Sequence, residues 1–359
     1  MDPATLIPTP DQIPVDWGWF QILLTLTFYL HVLAMDTMLG TAIITFIHHF
    51  SSEGDSLPVT REISKKLPYV IALAVNLGIA PLLFAQVLYG HFLYVGSMLP
   101  GVFWLSIVLF LIIAYYSAYI YSYRYKTMRA GRMITSGITM VSLLCIGFFL
   151  SNTMTLMLHP ESWVRYFQHP DGFLLNLADP TIIPRYLHFV TSAVAIGGLA
   201  IALLYTYKSS RGHQESSRWI QYGCNWFAGA TIVNFAVGFW FLGSLPDGLI
   251  VPSTLVGGLF SFFLVIALIT AVLAVIAAMR YRPLPAALLT LATVLFMVLV
   301  REFLRASYLR PWFSPAELTV QPDRSPFILF LLIFVAGLAL VGWMLKTTFT
   351  AFDSKGVQS

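Results

Sequence analysis

Charged residues are scarce in this sequence. Asp, Glu, Lys and Arg make up only 10% of its 359 residues, whereas 58% are hydrophobic and the mean hydropathy is +0.79. Soluble domains carry about a quarter charged residues, and a chain of this length cannot bury so much apolar surface in a soluble core. The scarcity therefore excludes an ordinary soluble protein and indicates that lipid surrounds most of the chain.

Cysteine is also scarce, and the first basic residue comes late. Cys145 and Cys224 both lie in apolar runs, and the sequence has neither CxxC nor CxxCH. This excludes a disulfide framework, a CxxC metal site and conventional c-type haem attachment. Because the first Lys or Arg is Arg61, the basic region of a cleaved signal peptide is missing, and we expect the first apolar run to stay as a membrane helix. The basic residues form no single patch, so no nucleic-acid partner is expected.

Long apolar runs fill the chain from end to end. About 20 apolar residues cross a hydrocarbon core, and runs of that size recur here. They predict an all-α, polytopic membrane helical bundle of about nine transmembrane helices, one integral domain with halves 1–210 and 211–359. The predicted spans are 17–50, 68–96, 101–123, 131–158, 182–207, 218–242, 251–279, 284–307 and 327–349.

The basic residues predict the orientation of the bundle. An odd number of spans places the termini on opposite sides, and 14 of the 20 Lys and Arg residues fall on the side of the C-terminus. By the positive-inside rule, the N-terminus lies outside and the C-terminus in the cytoplasm of a bacterial cytoplasmic (inner) membrane.

Four ionisable groups inside predicted spans stand out: His31, His91, His188 and Asp36. Ionisable groups in lipid are costly, so each is a functional hypothesis. Imidazole is a natural axial ligand of haem iron, and the three histidines are predicted to ligate haem b, with His31 nearest the membrane centre. The alternative is hydrogen-bonded packing. Asp36 is either a proton-relay carboxyl group or a hydrogen-bond partner of another helix.

Arginines accompany these histidines on the outer side. Arg185 precedes His188 by three residues and shares its helix face. Arg185, Arg301 and Arg305 are predicted to bind haem propionates, with lipid headgroups as the alternative. Glu302 is expected to neutralise Arg301.

The remaining polar positions give weaker signals. His48, His49 and His213 are expected to be solvated at the cytoplasmic side, and the outer-loop residues His159 and His169 are possible further ligands. The outer connection 159–184 is either an interfacial helix or a plain loop, and the loop 310–325 is expected to be irregular. The tyrosines between 115 and 125 are typical of an interfacial aromatic belt, with a quinone site as the second interpretation.

Three stretches resemble subunit I of cytochrome bd quinol oxidases. They are FYLHVLAMDTMLGTAI at 28–43, NLGIAPLLFAQVLYGHFLYVG at 76–96, and the segment from SNTMTLMLHPESW at 151–163 through DPTIIPRYLHFVTSAVAIGG at 179–198. The resemblance covers about the first 200 residues. It implies that His31 and His188 correspond to the two haem-ligand histidines of that family.

The sequence also departs from that family. Residues 101–123 contain no acidic residue where the family has glutamates, only 243–250 stand where its quinol-binding loop would be, and no methionine ligand occurs in 255–276. The GRQPW signature is reduced to YLRPW at 308–312. These departures argue against oxygen reduction, and His91 is the hypothetical replacement for the missing ligand.

The sequence therefore predicts a haem b electron-transfer subunit of a respiratory complex. It would pass electrons between membrane quinone and a c-type cytochrome on the outer side. The alternatives are a divergent oxygen-reducing oxidase subunit and a haem-free transporter or structural membrane subunit.

Overall fold

A computed structural model describes residues 2–51, 58–212 and 216–355. The described residues form nine long α-helices joined by turns and by three short 3-10 helices. Their bounds are α1 Trp17–Ser51, α2 Pro58–Met98, α3 Gly101–Tyr123, α4 Arg129–Leu158, α5 Ile182–Ser209, α6 Ser216–Gly243, α7 Leu255–Met279, α8 Pro283–Leu309 and α9 Arg324–Lys355.

All nine helices are long and apolar enough to cross a membrane, which confirms the predicted all-α multi-pass bundle. The largest difference from the predicted spans is at α2, which begins at Pro58 rather than at 68. Its first turns carry Arg61, Glu62 and Lys65, and Glu62 is salt-bridged to Lys65 at 3.3 Å and to Lys208 at 3.0 Å. Hydropathy does not detect this segment because it is a charged helix that extends beyond the apolar run.

α1 is the central helix of the bundle and packs against α2, α4, α5 and α8. The other main pairs are α5 with α6, α7 with α8, and α3 with α4. Close packing of α5 and α6 depends on Gly198 and Gly223: a Cβ on Gly223 would lie 2.5 Å from the backbone of Ala202. This interface joins the two predicted halves of the chain into one bundle.

The close approach of α1 and α5 fixes the position of both histidine-bearing helices. A Cβ on Gly40 would lie 1.7 Å from the carbonyl oxygen of Ala193, and a Cβ on Gly197 would lie 2.4 Å from the backbone of Gly40. Only glycine allows backbones to come this close. The sequence places glycine at both positions of this crossing.

The outer connections are short 3-10 helices and irregular chain. Residues 159–184 contain the 3-10 helix Pro160–Phe167, whose Trp163 is 2% exposed and donates its indole N–H to the Leu156 carbonyl at 2.8 Å. Phe167 and Phe173 are exposed. The segment is therefore anchored to the bundle by one buried ring. The loop 310–325 is largely irregular, as expected, and contains the 3-10 helix Pro315–Glu317.

At the predicted cytoplasmic end, two histidines and two of the six tyrosines differ from expectation. His48 and His49 are not freely solvated: His48 Nδ1 lies 3.1 Å from the Tyr222 hydroxyl and His49 Nε2 lies 2.8 Å from that of Tyr121. Tyr121 and Tyr125 are buried, so they belong to this hydrogen-bonded cluster rather than to an interfacial belt. Both differences arise because the histidine rings form hydrogen bonds with tyrosine hydroxyl groups of other helices. His213 lies outside the described residues.

Candidate functional site

His31 lies on α1 with its ring against α2. Its Nδ1 is 2.9 Å from the carbonyl oxygen of Ala74. A backbone carbonyl only accepts, so Nδ1 carries the proton and Nε2 keeps its lone pair. Gly78, one turn along α2, leaves room for the ring: a Cβ there would lie 2.8 Å from His31 Cε1. The local structure therefore orients the imidazole in the tautomer that binds a metal through Nε2.

His188 lies on α5 with its ring against α6. Its Nδ1 is buried without an aligned hydrogen bond, although Asn234 lies beside the ring. A Cβ on Gly238 would lie 3.2 Å from both Cε1 and Nδ1, and the Phe241 ring stacks at 6.4 Å. The ring is therefore held between Asn234, Gly238 and Phe241, all of α6.

The two histidines lie at similar depth but face different helices. α1 and α5 run in the same direction, since Asp36 pairs with Ser192 and Gly40 with Ala193. Counted from Gly40 and Gly197, whose backbones meet, His31 and His188 each lie nine residues away toward the predicted outer end, which is about 14 Å. Facing α2 and α6 respectively, the rings are arranged for separate sites.

Each of these histidines has a phenylalanine and an arginine beside it. The Phe28 ring lies 6.4 Å from that of His31, and the guanidinium carbon of Arg301 lies 4.1 Å from the Phe28 ring centre. On the other side, the guanidinium of Arg185 lies 5.1 Å from Phe241. Cations over aromatic faces are favourable and keep their N–H groups available.

Two arginines lie close to the histidine-bearing helices. The side chain of Arg301 is 36% exposed. Arg185 is deeply placed, and its Nε and Nη2 have no hydrogen-bond partner. Arg185 and Arg301 come from α5 and α8 and are near enough to interact electrostatically. Arg301 is paired with Glu302, whereas Arg185 has no ion-pair partner among the described residues, so the region keeps a positive charge that suits an anionic ligand.

Glu302 organises the arginines of α8. It forms ion pairs with Arg301, at 3.0 Å, and with Arg305. Its second oxygen accepts from the Gln21 amide at 2.9 Å, and Gln21 accepts from the Tyr89 hydroxyl at 3.2 Å. The expected pairing of Glu302 with Arg301 is therefore present. Sequence reasoning missed Gln21 and Tyr89, although a polar residue inside an apolar run was the available signal for Gln21.

His91 lies apart from the other two histidines. Its ring is 4.5 Å from the rings of both Phe92 and Phe313, at the outer end of α2. It follows a break in helical geometry at Tyr89, where φ is −132°. Along α2, His91 is about 20 Å beyond Gly78, which touches His31. The structure therefore does not bring His91 and His31 to one iron.

Asp36 is buried between α1 and α5. It is 1% exposed, its Oδ2 accepts from Ser192 at 3.4 Å, and its Oδ1 has no hydrogen-bond partner. Asp36 therefore contacts α5, as expected if it is a hydrogen-bond partner of another helix. The structure gives no partner of opposite charge for this carboxyl group among the described residues.

His159 forms a charged cluster at the predicted outer end of the bundle. Its Nδ1 lies 2.9 Å from a carboxylate oxygen of Glu161. Its Nε2 lies 3.2 Å from a carboxylate oxygen of Asp179, which is within ion-pair distance, but this second contact is not aligned as a hydrogen bond. Burial lowers the pKa of His159, but the two carboxylates raise it to about 9. Burial likewise opposes ionisation of Asp179, but His159 and Thr181 bring its pKa down to about 2. Both nitrogens face carboxylates, so His159 is not available as a further ligand.

Comparison with known proteins gives one informative result. No family model and no curated protein matches the sequence. The fold is similar to that in the structure of bd oxidase from Geobacillus thermodenitrificans, with a TM-score of 0.67 at 12% sequence identity. The match covers 95% of this chain and 96% of the other, so it extends well beyond the 200 residues that carry the sequence resemblance.

This likeness shows the fold of the chain, which is that of a bd oxidase membrane bundle. The residues of the site can be compared with what a haem group requires. A haem b group needs an imidazole with a free nitrogen and cationic partners for its propionates. His31 and His188 meet the first requirement, and Arg185 and Arg301 meet the second.

Proposed function

We propose that this chain is a haem b subunit of a respiratory electron-transfer complex in the bacterial cytoplasmic membrane. The observation that carries the proposal is the repeated arrangement of histidine, phenylalanine and arginine, at His31, Phe28 and Arg301 and again at His188, Phe241 and Arg185. Bound haem supplies reversible one-electron exchange.

The proposed roles follow from the contacts. His31 would hold iron through Nε2, because Nδ1 is committed to Ala74. His188 would hold a second iron, because its ring faces α6. Arg185 and Arg301 would bind propionates, with Arg305 held beside them by Glu302. His91 is the third proposed ligand, and its distance from His31 assigns it to an iron of its own.

The partners are proposed from position and from composition. Quinone in the membrane is the proposed electron donor or acceptor, in keeping with the bd oxidase fold. A c-type cytochrome on the outer side is the other proposed partner, because the arginines lie near the predicted outer end and this chain has no CxxCH of its own. The predicted outward N-terminus and cytoplasmic C-terminus belong to the same proposal.

Oxygen reduction is the second candidate function, and the fold similarity favours it. Against it, α3 has no acidic residue to serve an oxygen-reducing haem. Oxygen uptake by the purified protein with a quinol as donor, abolished in His31→Ala, would establish this second function. Absence of uptake from haem-loaded protein would exclude it.

The decisive experiment is the pyridine haemochrome spectrum of purified protein. We expect haem b in the wild type, and a loss of one haem in each of His31→Ala and His188→Ala. His169→Ala is the matched control because His169 is an exposed outer-loop histidine, and it should keep the full haem content. A wild-type preparation without Soret absorbance would leave the haem-free transporter or structural subunit as the function.

His91→Ala tests the third proposed ligand separately. Loss of haem would support ligation by His91. Full haem content with an unchanged reduced spectrum would remove His91 from the ligand set without affecting the other two.

A further inference from the structure

Polar side chains form a graded series from the outer surface into the bundle. The exposed fraction of the side chain falls from 53% at Glu161 to 14% at His159 and 6% at Asp179. The distances between the three groups are 2.9 Å and 3.2 Å. His159 therefore lies between an exposed carboxylate and a buried one, and the three groups extend from solvent into the interior of the bundle.

The inner end of this series reaches the arginines. Asp179 Oδ1 accepts from both the backbone N–H and the hydroxyl of Thr181, each at 2.7 Å. The Tyr308 ring lies 5.0 Å from that of His159, and its buried hydroxyl, without an aligned hydrogen bond, is close to Thr181 and Arg185. Arg185 is one of the two arginines proposed to bind haem propionates. The polar series therefore continues to the proposed propionate site.

We propose that Glu161, His159 and Asp179 form a proton-transfer link between the outer solution and the region of the bundle around Arg185 and Arg301. This inference rests on the proposed haem function, because proton movement would balance the change in charge when the haem is oxidised or reduced.

The chemistry of the link uses both nitrogens of one ring. His159 rests as an imidazolium between the two carboxylates and releases its Nδ1 proton to Glu161, and the neutral ring then accepts a replacement proton from the Asp179 side. Glu161 then gives that proton to water. The carboxylates are restored, one proton has moved outward, and exchange of the ring tautomer resets the histidine.

All charged groups that act on His159 belong to the series. Glu161 follows it on the 3-10 helix, Asp179 comes from the segment before α5, and Tyr308 faces it from α8. Arg185 acts on Asp179 and Tyr308 from α5. A purely structural role would need only the ion pairs, whereas a proton link needs a titrating ring at position 159.

The test is the rate of proton exchange at the outer surface of haem-loaded protein in proteoliposomes. A membrane-impermeant pH indicator on the outer side is monitored while haem is rapidly reduced and reoxidised. The variants are His159→Gln, which retains a hydrogen-bonding amide but does not titrate, and Asp179→Asn. His169→Gln is the control, because His169 is an exposed histidine in the same outer segment.

We expect proton exchange to be slowed at least about tenfold in His159→Gln and Asp179→Asn, with full haem content and a wild-type rate in His169→Gln. His159→Gly should be slowed likewise and restored by added imidazole, which a structural role would not show. Wild-type exchange in haem-loaded His159→Gln, or slow exchange without rescue in His159→Gly, would overturn the link. Absence of haem from the wild type would instead refute the proposed function.

Discussion

Arg301 covers the ring of Phe28 at 4.1 Å, and Phe28 in turn lies against His31. A fixed positive charge beside a haem stabilises the reduced form, which carries one more negative charge. Arg301→Gln should therefore lower the haem midpoint potential by about 60 mV, the equivalent of about 1.4 kcal/mol for one electron. Arg301→Lys should keep most of the potential because it keeps the charge. The measurement is a redox titration of the purified protein.

Arg310 provides the control for this titration. It lies one residue beyond α8 and is exposed, so Arg310→Gln should leave the potential unchanged. Equal shifts in Arg301→Gln and Arg310→Gln would show that Arg301 is not near the haem.

The glycines against the two histidine rings give a second prediction. A Cβ on Gly78 would press on His31, and one on Gly238 would press on His188. Gly78→Ala and Gly238→Ala should displace the rings, reduce haem content and destabilise the protein by about 1–3 kcal/mol. Gly229→Ala is the control on α6, because nothing lies within 4 Å of its Cβ position, and it should be neutral or stabilising. The measurements are the haem content and the thermal unfolding of all three variants.

The charged cluster at His159 predicts a pH dependence of stability. Because folding raises the pKa of His159 to about 9, its contribution is complete below the unfolded value near 6.5 and is lost as the pH rises through about 9. His159→Gln should therefore be less stable than wild type at pH 6, by about 2 kcal/mol, and the difference should disappear above pH 9. Thermal unfolding across this pH range measures it.

The contribution of Asp179 to stability has the opposite pH dependence. Its pKa is lowered to about 2, so its contribution is present above the unfolded value near 3.8 and is lost as the pH falls through 2. At pH 6 the two groups are both charged. A constant difference between His159→Gln and wild type from pH 6 to pH 10 would contradict the assigned ion pairs.

The predicted orientation is tested by labelling single cysteines in intact cells. His169 and Lys126 are both exposed and lie in connections on opposite sides of the bundle. His169→Cys should react with an impermeant thiol reagent from outside, and Lys126→Cys should react only after the membrane is opened. The reverse pattern would invert the orientation.

The number and approximate bounds of the helices were predictable because each depends on one local property, the length of an apolar run. α3 and α7 match their predicted spans to within four residues. The extra turns of α2 from Pro58 to 67 were not predictable in this way, since Arg61 and Glu62 lie in a helix that apolar content does not detect.

The sequence predicts candidate members of the site but not their arrangement. Histidine and arginine inside apolar runs indicate His31, His188 and Arg301 as candidates without any structural information. The contact between Gln21 and Glu302 joins residues separated by 281 positions, and the burial of His49 depends on Tyr121 from another helix. Such pairings depend on the rotation of each helix about its axis, and one sequence with weak amphipathic character does not determine that rotation.

At Gly40 and Gly197 the backbones of α1 and α5 meet without an intervening side chain. Interlocked backbones resist sliding, because a displacement of even one ångström would bring the main chains into collision. The two proposed iron sites on these helices would therefore keep a constant spacing when the bilayer thins or thickens. Electron exchange between them, which falls steeply with separation, would then be insensitive to lipid composition even where the periphery of the bundle adapts to it.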